Sequence, residues 1–183
     1  KWQQERVYSP RIAINISFKT LEMKDFVSRL ASIIECSGCP KHLLEIEVTE
    51  TASISNINTL IDNVRAVKDL GIHIAVDDFG TGYSSLSLVR KLRSSLDTLK
   101  IDRSLVADVC DSTLDREFAR KVIELGKVLE VKVLAEGVET LGQRDLLQEL
   151  GCDYAQGYYF DKALSKEEAQ ALILNECYQT ILG

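Results

Sequence analysis

Histidine is scarce in this 183-residue sequence, and long apolar runs are missing from it. The two histidines, His42 and His73, have no pattern of serine or acidic partners around them, which argues against a nucleophilic triad built on histidine. No apolar run approaches the ~20 residues that a membrane-spanning helix needs. The chain opens at Lys1 without an initiator Met and without a signal-peptide pattern, so we expect a fragment of a longer protein.

The charge balance is acidic, with a net charge of −6. A chain of this kind offers no broad basic surface to a nucleic acid polymer, although metal ions can still let it bind an anionic substrate. The 45% hydrophobic and 27% charged content is typical of a globular domain. We therefore expect residues 1–183 to form a single domain with a sizeable core.

The five cysteines are scattered and odd in number, which favours reduced thiols and a cytoplasmic location. Cys36 and Cys39 have the spacing of a zinc knuckle, but the sequence offers no second Cys/His pair to complete a tetrahedral site. We therefore interpret this segment as the C-terminus of a helix before Pro40.

An acidic pair, Asp77 and Asp78, follows an apolar strand at 72–76 and precedes a glycine turn and a helix at 86–92. In α/β folds, chemistry collects at the carboxyl ends of strands. Two adjacent carboxylates stay ionised at low cost only beside a cation or hydrogen-bond donors. A helix cap plus a loop acid is the alternative for an isolated pair. A phosphate-binding turn at Gly80 and Gly82 is disfavoured, because the acids would repel phosphate unless a metal intervened.

The hydrophobic pattern alternates between strands and helices along the whole chain. The predicted strands cover 11–17, 43–50, 72–76, 96–102, 131–136 and 151–157. The predicted helices cover 21–34, 57–70, 86–92, 118–129, 141–150 and 165–177. About six βα units imply parallel strands, whereas a complete (β/α)₈ TIM-type barrel has eight units and about 250 residues. The chain is therefore either an open doubly wound sheet or an incomplete barrel.

Polar residues stand at or just past the end of every predicted strand: Asn15, Glu47, Asp77 with Asp78, Lys100, Glu136 and Gln156. In a barrel these strand ends converge on one face. Such a density of carboxylates is stabilised by divalent cations with oxygen ligands. Since the set contains neither His nor Cys, it favours Mg²⁺ or Mn²⁺ over zinc.

These residues lie in motifs that together resemble the EAL domain, the cyclic di-GMP phosphodiesterase domain of bacteria. The matching segments are Ile14-Asn15-Ile16-Ser17, Glu47-Val48-Thr49-Glu50, residues 77–86 (DDFGTGYSSL), Leu99-Lys100-Ile101-Asp102-Arg103, residues 135–140 (AEGVET) and Ala155-Gln156-Gly157. They span nearly the whole chain in the order of the family. The resemblance implies a (β/α)₈-type barrel that hydrolyses cyclic di-GMP to linear pGpG with two Mg²⁺ or Mn²⁺ ions.

The resemblance also assigns roles to the residues that match the motifs. It implies that Asn15, Glu47, Asp77 and Glu136 hold one metal ion, and that Asp77 with Asp78 brings in the second. Lys100 would orient the attacking water or offset charge on the phosphate, and Glu136 would double as a proton acceptor.

Further positions have supporting roles by the same resemblance. Gln156 would hold a metal-bound water, and Asp102 with Arg103 would contact the substrate. Glu50 would brace the glycine loop and help to couple dimerisation to the metal site. For Glu139, a salt bridge at the start of a helix competes with a functional role.

Three departures from the family pattern affect these expectations. The Glu-x-Leu motif that names the family is missing, and with it one metal-binding Glu. The connection at 92–97 is slightly longer than usual and lacks its Pro, and residues 160–164 replace a segment that contacts guanine. We therefore expect the 183-residue chain to be weakly active or inactive alone. The alternative is a non-catalytic module of degenerate EAL type that binds cyclic di-GMP or another protein.

The resemblance also implies partners beyond cyclic di-GMP. It predicts a homodimer, and an upstream sensor or diguanylate cyclase-like domain in the full-length protein. We expect no membrane contact by this domain, which leaves open whether the full-length protein is membrane-anchored.

Overall fold

A computed structural model describes residues 10–49, 55–80 and 86–174. The strands are β1 (Ile12–Ser17), β2 (Leu44–Thr49), β3 (His73–Phe79), β4 (Thr98–Ile101), β5 (Lys132–Ala135) and β6 (Tyr154–Ala155). The helices are α1 (Phe18–Leu21), α2 (Phe26–Ser37), α3 (Ile57–Asp69), α4 (Leu86–Leu92), α5 (Arg103–Ala107), α6 (Thr113–Leu129), α7 (Leu141–Leu150) and α8 (Lys166–Leu174). Short 3₁₀ turns at Lys41–Leu43 and Arg93–Ser95 precede β2 and β4.

The six strands form one parallel sheet in the order β1-β2-β3-β4-β5-β6. A doubly wound sheet reverses its strand order at a switch point, whereas a barrel keeps strands in sequence. The sequential order therefore decides between the two predicted architectures in favour of the incomplete barrel. Within the described residues β1 and β6 each pair on one side only, so the sheet is not closed there.

The core lies between the outer face of the sheet and the helices. Alternate strand residues such as Ile74, Leu99 and Val133 are at most 1% exposed, and the helices cover them. At the edge of the sheet, Ile12 and Ile14 of β1 are 50% and 42% exposed, since the described helices do not bury this face of β1. The opposite residues of each strand face the concave side, where the polar strand ends gather.

The sequence signals for helix ends are confirmed. Gly38 ends α2 in a left-handed conformation at φ +66°, a conformation that glycine adopts at little cost. Thr140 and Gln143 form a reciprocal capping box at the start of α7. Ser165 and Glu168 form a second capping box before α8 through two backbone–side chain hydrogen bonds of 2.7 and 3.2 Å.

The strand boundaries differ from the prediction near the acidic pair. β3 continues through Asp77 and Asp78 to Phe79, with a register shift against β4 between Val76 and Phe79. The two acids therefore lie within β3, between the last two positions at which this strand pairs with β4. β4 and β6 are shorter than predicted. Glu50, the loop at 81–85 and the predicted helix end at Cys177 lie outside the described residues.

Among the described helices, none combines the length and the apolar content that crossing a bilayer requires.

Candidate metal centre at the carboxyl ends of the strands

The register of the sheet brings the predicted site residues onto its concave face. Asn15 lies directly beside Glu47 on the neighbouring strand, and Lys100 lies beside Leu134. Because side chains two residues apart on a strand share a face, Glu136 extends the row of Leu134. The backbone N–H of Glu136 donates to the carbonyl of Ile101, which fixes Glu136 next to the end of β4.

Lys100 is the centre of this cluster. Its ammonium contacts carboxylate oxygens of Glu47 at 2.7 Å, Asp77 at 3.0 Å and Glu136 at 2.7 Å. The residue is only 3% exposed. Burial alone would lower its pKa, but the hydrogen bonds to Glu136, Glu47 and Asp77 raise the pKa above its ordinary value, so Lys100 is charged. The ammonium of Lys100 on β4 thus links carboxylates of β2, of β3 and of the residue that follows β5.

Asp77, Asp78 and Glu136 form the acidic part of the cluster. Each offers one oxygen, and these oxygens lie within 4.8 Å of one another. Burial raises the pKa of Glu136, and Asp77 and Glu47 add to the shift while Lys100 opposes it. Three carboxylates at this spacing provide the hard oxygen donors that Mg²⁺ and Mn²⁺ prefer. The described residues therefore fit a divalent ion at this position.

Asp78 is turned away from the strand by a positive φ of 53°, which non-glycine residues rarely adopt. Its pKa is raised by burial, by Asp77 and by Asp102. Asp102 caps α5, and although burial opposes it, hydrogen bonds from Ser104 lower the pKa of Asp102. Asp102 is therefore an ionised neighbour of the acidic cluster.

Two glycines permit the close approach of backbone segments next to Glu136. A Cβ at Gly137, where φ is +69°, would collide with the side chain of Arg103. A Cβ at Gly157, where φ is +156°, would overlap the backbone of Val138. The space between these segments is a cavity of about 260 Å³ that Arg103, Glu136 and Gln156 line.

The structure thus places the predicted site residues in three groups. Glu47, Asp77, Lys100 and Glu136 are in direct contact through the lysine, and Asp78 joins them through the acidic cluster.

The second group adjoins this cluster, with Asn15 beside Glu47 and Asp102 beside Asp78. The third group, Arg103 and Gln156, lines the adjoining cavity with the exposed Glu139.

Two supporting residues were missed from the sequence. Ser104 donates to Asp102 from its backbone N–H at 3.0 Å and from its hydroxyl. The buried Gln143 donates to the carbonyls of Val106 and Ala107, which ties α7 to α5 below Arg103. The Asp-x-Ser and Thr-x-x-Gln patterns at these helix starts are the signals that could have identified both.

Comparison with known proteins gives a consistent result. The family model of the EAL domain matches residues 1–163. Cyclic di-GMP phosphodiesterase NbdA of Pseudomonas aeruginosa is 40% identical over 154 residues, which is 84% of this chain and 19% of that protein. The chain spans about a fifth of the length of such curated relatives.

Solved structures agree with the fold. The crystal structure of the EAL domain of Mycobacterium smegmatis DcpA superposes with a TM-score of 0.84 at 36% identity, covering 94% of this chain and 77% of that one. The manganese/cyclic di-GMP complex of Klebsiella pneumoniae BlrP1 superposes with a TM-score of 0.76 at 31% identity, covering 88% of this chain and 41% of that one. The six-stranded parallel sheet therefore matches a barrel of this type.

Proposed function

Because this chain belongs to the EAL domain family, we propose that its function is the hydrolysis of cyclic di-GMP to linear pGpG. The observation that carries the proposal is the convergence of Glu47, Asp77 and Glu136 on Lys100 at the carboxyl ends of the strands, with Asp78 beside Asp77 and Glu136. Relatives support it, since one is named a cyclic di-GMP phosphodiesterase and another is a complex with manganese and cyclic di-GMP.

The proposed cofactor is Mg²⁺ or Mn²⁺ at a two-metal site. Asn15, Glu47, Asp77 and Glu136 would hold one ion, Asp77 with Asp78 the second, and Gln156 would act through a water molecule. Such ions stabilise charge on a phosphoryl oxygen and lower the pKa of a bound water. The all-oxygen donor set supports this choice over zinc.

The other steps of the proposed reaction are proton transfer, charge stabilisation and substrate binding, and different side chains carry them. Glu136, whose pKa is raised by burial, accepts a proton from the attacking water more readily than an ordinary carboxylate would. Lys100 keeps its charge and offsets negative charge on the phosphate or orients the water. Arg103 contacts the substrate from the adjoining cavity, and Asp102 contacts it from its position beside Asp78. By the family resemblance, Glu50, which lies outside the described residues, would brace the glycine loop.

A non-catalytic signalling module that binds cyclic di-GMP or a protein is the second candidate. The open edges of β1 and β6 in the described residues favour it, because they leave the concave face incomplete. The same feature supports our proposal that the 183-residue chain alone has weak or no activity. We extend the proposal to a cytoplasmic homodimer joined, in the full-length protein, to an upstream sensor or diguanylate cyclase-like domain.

The test is the release of pGpG from cyclic di-GMP in the presence of Mn²⁺, measured by chromatography. The 183-residue chain and the full-length protein encoded by its gene are compared, with Glu136→Gln of each as the matched control. Turnover by the full-length protein that Glu136→Gln abolishes supports the proposal. Tight binding of cyclic di-GMP without turnover by the full-length protein would favour the binding module instead.

A further inference from the structure

Lys100 shares two of its carboxylate partners with the acidic group that could hold a metal ion. Its ammonium contacts Asp77 and Glu136, and both residues also belong to that group with Asp78. The contacted Oδ1 of Asp77 also accepts the backbone N–H of Asp78 at 3.0 Å. The lysine and a divalent ion would therefore draw on the same two side chains.

We propose that Lys100 is an internal counterion that competes with divalent cations for Asp77 and Glu136, and thereby sets the metal affinity of the site. The inference deepens the proposed function and rests on it, because it requires the carboxylates to be metal ligands. It adds a role that catalysis does not need: at low metal concentration the ammonium holds β2, β3 and β5 together through one point charge.

Because Lys100 is buried, its ammonium depends on the same carboxylates that a metal ion would bind. A lysine that is 3% exposed is stable as a cation only if carboxylates replace its water. The reverse also holds, since Glu47, Asp77 and Glu136 repel one another unless a cation lies between them. A divalent ion brings a second positive charge next to this ammonium, and their repulsion weakens its binding.

The inference is tested with Lys100→Met, which keeps an unbranched side chain one atom shorter than lysine and removes the charge. Lys68→Met is the matched control, because Lys68 makes a comparable contact of 2.5 Å with Asp97 at the opposite end of the sheet. Binding of Mn²⁺ to the 183-residue chain is measured by titration calorimetry, and the melting temperature is measured with EDTA and with Mn²⁺.

We expect Lys100→Met to bind Mn²⁺ on the order of tenfold more tightly, because the competing charge is gone. We also expect it to melt lower in EDTA and to gain more from Mn²⁺ than the unsubstituted chain does. Lys68→Met should leave the Mn²⁺ affinity unchanged. A residue that only orients water or only fills the core would not raise the affinity when removed.

An affinity of Lys100→Met for Mn²⁺ that is equal to or weaker than that of the unsubstituted chain would overturn the inference. If neither the 183-residue chain nor the full-length protein binds a divalent ion, the proposed metal-dependent function itself fails, so the two failures are distinguishable.

A second measurement covers the case in which Lys100→Met does not fold. Nitrogen-15 NMR of the unsubstituted chain follows protected lysine ammonium signals during a Mg²⁺ titration. The Lys68 signal, identified by its loss in Lys68→Met, should stay constant while the Lys100 signal shifts. A Lys100 signal that Mg²⁺ at saturation leaves unmoved would contradict the inference.

Discussion

Replacing Asp77 with Asn should abolish hydrolysis without destabilising the fold. Asp77 is 8% exposed, contacts Lys100 at 3.0 Å and accepts the backbone N–H of Asp78 at 3.0 Å. Neutralising one partner of a buried ion pair ordinarily lowers the stability of the folded protein. Here the carboxylate also faces other acids, among them Asp78 and Glu136, so the balance of charges decides the sign.

The magnitude follows from the distances. At an effective dielectric constant of about 20, the attraction between Asp77 and Lys100 across 3.0 Å is about 5.5 kcal/mol. The repulsion from Asp78 and from Glu136 is about 3.5 kcal/mol each at the 4.8 Å limit of their oxygens. Repulsion thus exceeds attraction by about 1.5 kcal/mol, and solvent screening at the exposed Asp78 reduces this to about 1 kcal/mol.

We therefore expect Asp77→Asn to raise the melting temperature in EDTA by about 2–4 °C, as a gain of about 1 kcal/mol does in a domain of this size. The same variant of the full-length protein should lose at least about 100-fold in pGpG release, since a proposed metal ligand is weakened. Calorimetry in EDTA and the chromatographic assay with Mn²⁺ measure the two effects.

Asp97→Asn is the matched control. Asp97 also contacts a lysine, Lys68, and accepts the backbone N–H of Ile74 at 2.9 Å, but it lies at the amino end of the strands. It should lower the melting temperature and leave turnover per folded molecule intact. A drop of several degrees for Asp77→Asn in EDTA, or unchanged turnover, would refute the reasoning.

The remaining predictions concern the scaffold. Burial and Arg11 lower the pKa of His73 below 6.5. The contribution of neutral His73 to stability is therefore present above about pH 6.5 and is lost as the pH falls through the lower folded pKa. His73→Gln should flatten the fall of the melting temperature between about pH 7 and pH 5, and an unchanged slope would count against this. Ile74→Ala removes a fully buried side chain and should cost about 2–5 kcal/mol in urea unfolding, with a smaller loss contradicting the described core. Gly157→Ala forces a Cβ into the backbone of Val138 and should cost about 1–3 kcal/mol in the same assay, whereas full stability would mean that the two segments can separate.

The sequence predicted the scaffold well where the physics is local. Alternating apolar runs indicated the six strands of the described residues, and the segment before Pro40 indicated the helix end that the structure shows at Gly38. The strand-end rule also identified Glu47 and Asp77 as neighbours on one face. It works because parallel strands joined by helices must all end on the same side.

The contacts inside the cluster could not be predicted, because they depend on register and on local backbone geometry. The three ion pairs of Lys100 require β2, β3 and β5 to reach the same height as β4, which the spacing of residues does not fix. The positive φ of Asp78 and the register shift before Phe79 turn this acid toward Asp102.

The balance of charges in the cluster around Lys100 argues that its acidic residues do more than stabilise the fold. Three carboxylates, those of Glu47, Asp77 and Glu136, contact the single ammonium of Lys100, and Asp78 adds a fourth acid beside Asp77 and Glu136, so the cluster keeps an excess of negative charge. Where stability is the only requirement, such an excess is reduced by neutral or apolar side chains. The carboxylates at this edge of the sheet still repel one another, and a bound cation would relieve that repulsion. Metal-dependent phosphodiester hydrolysis requires a site that binds cations in this way.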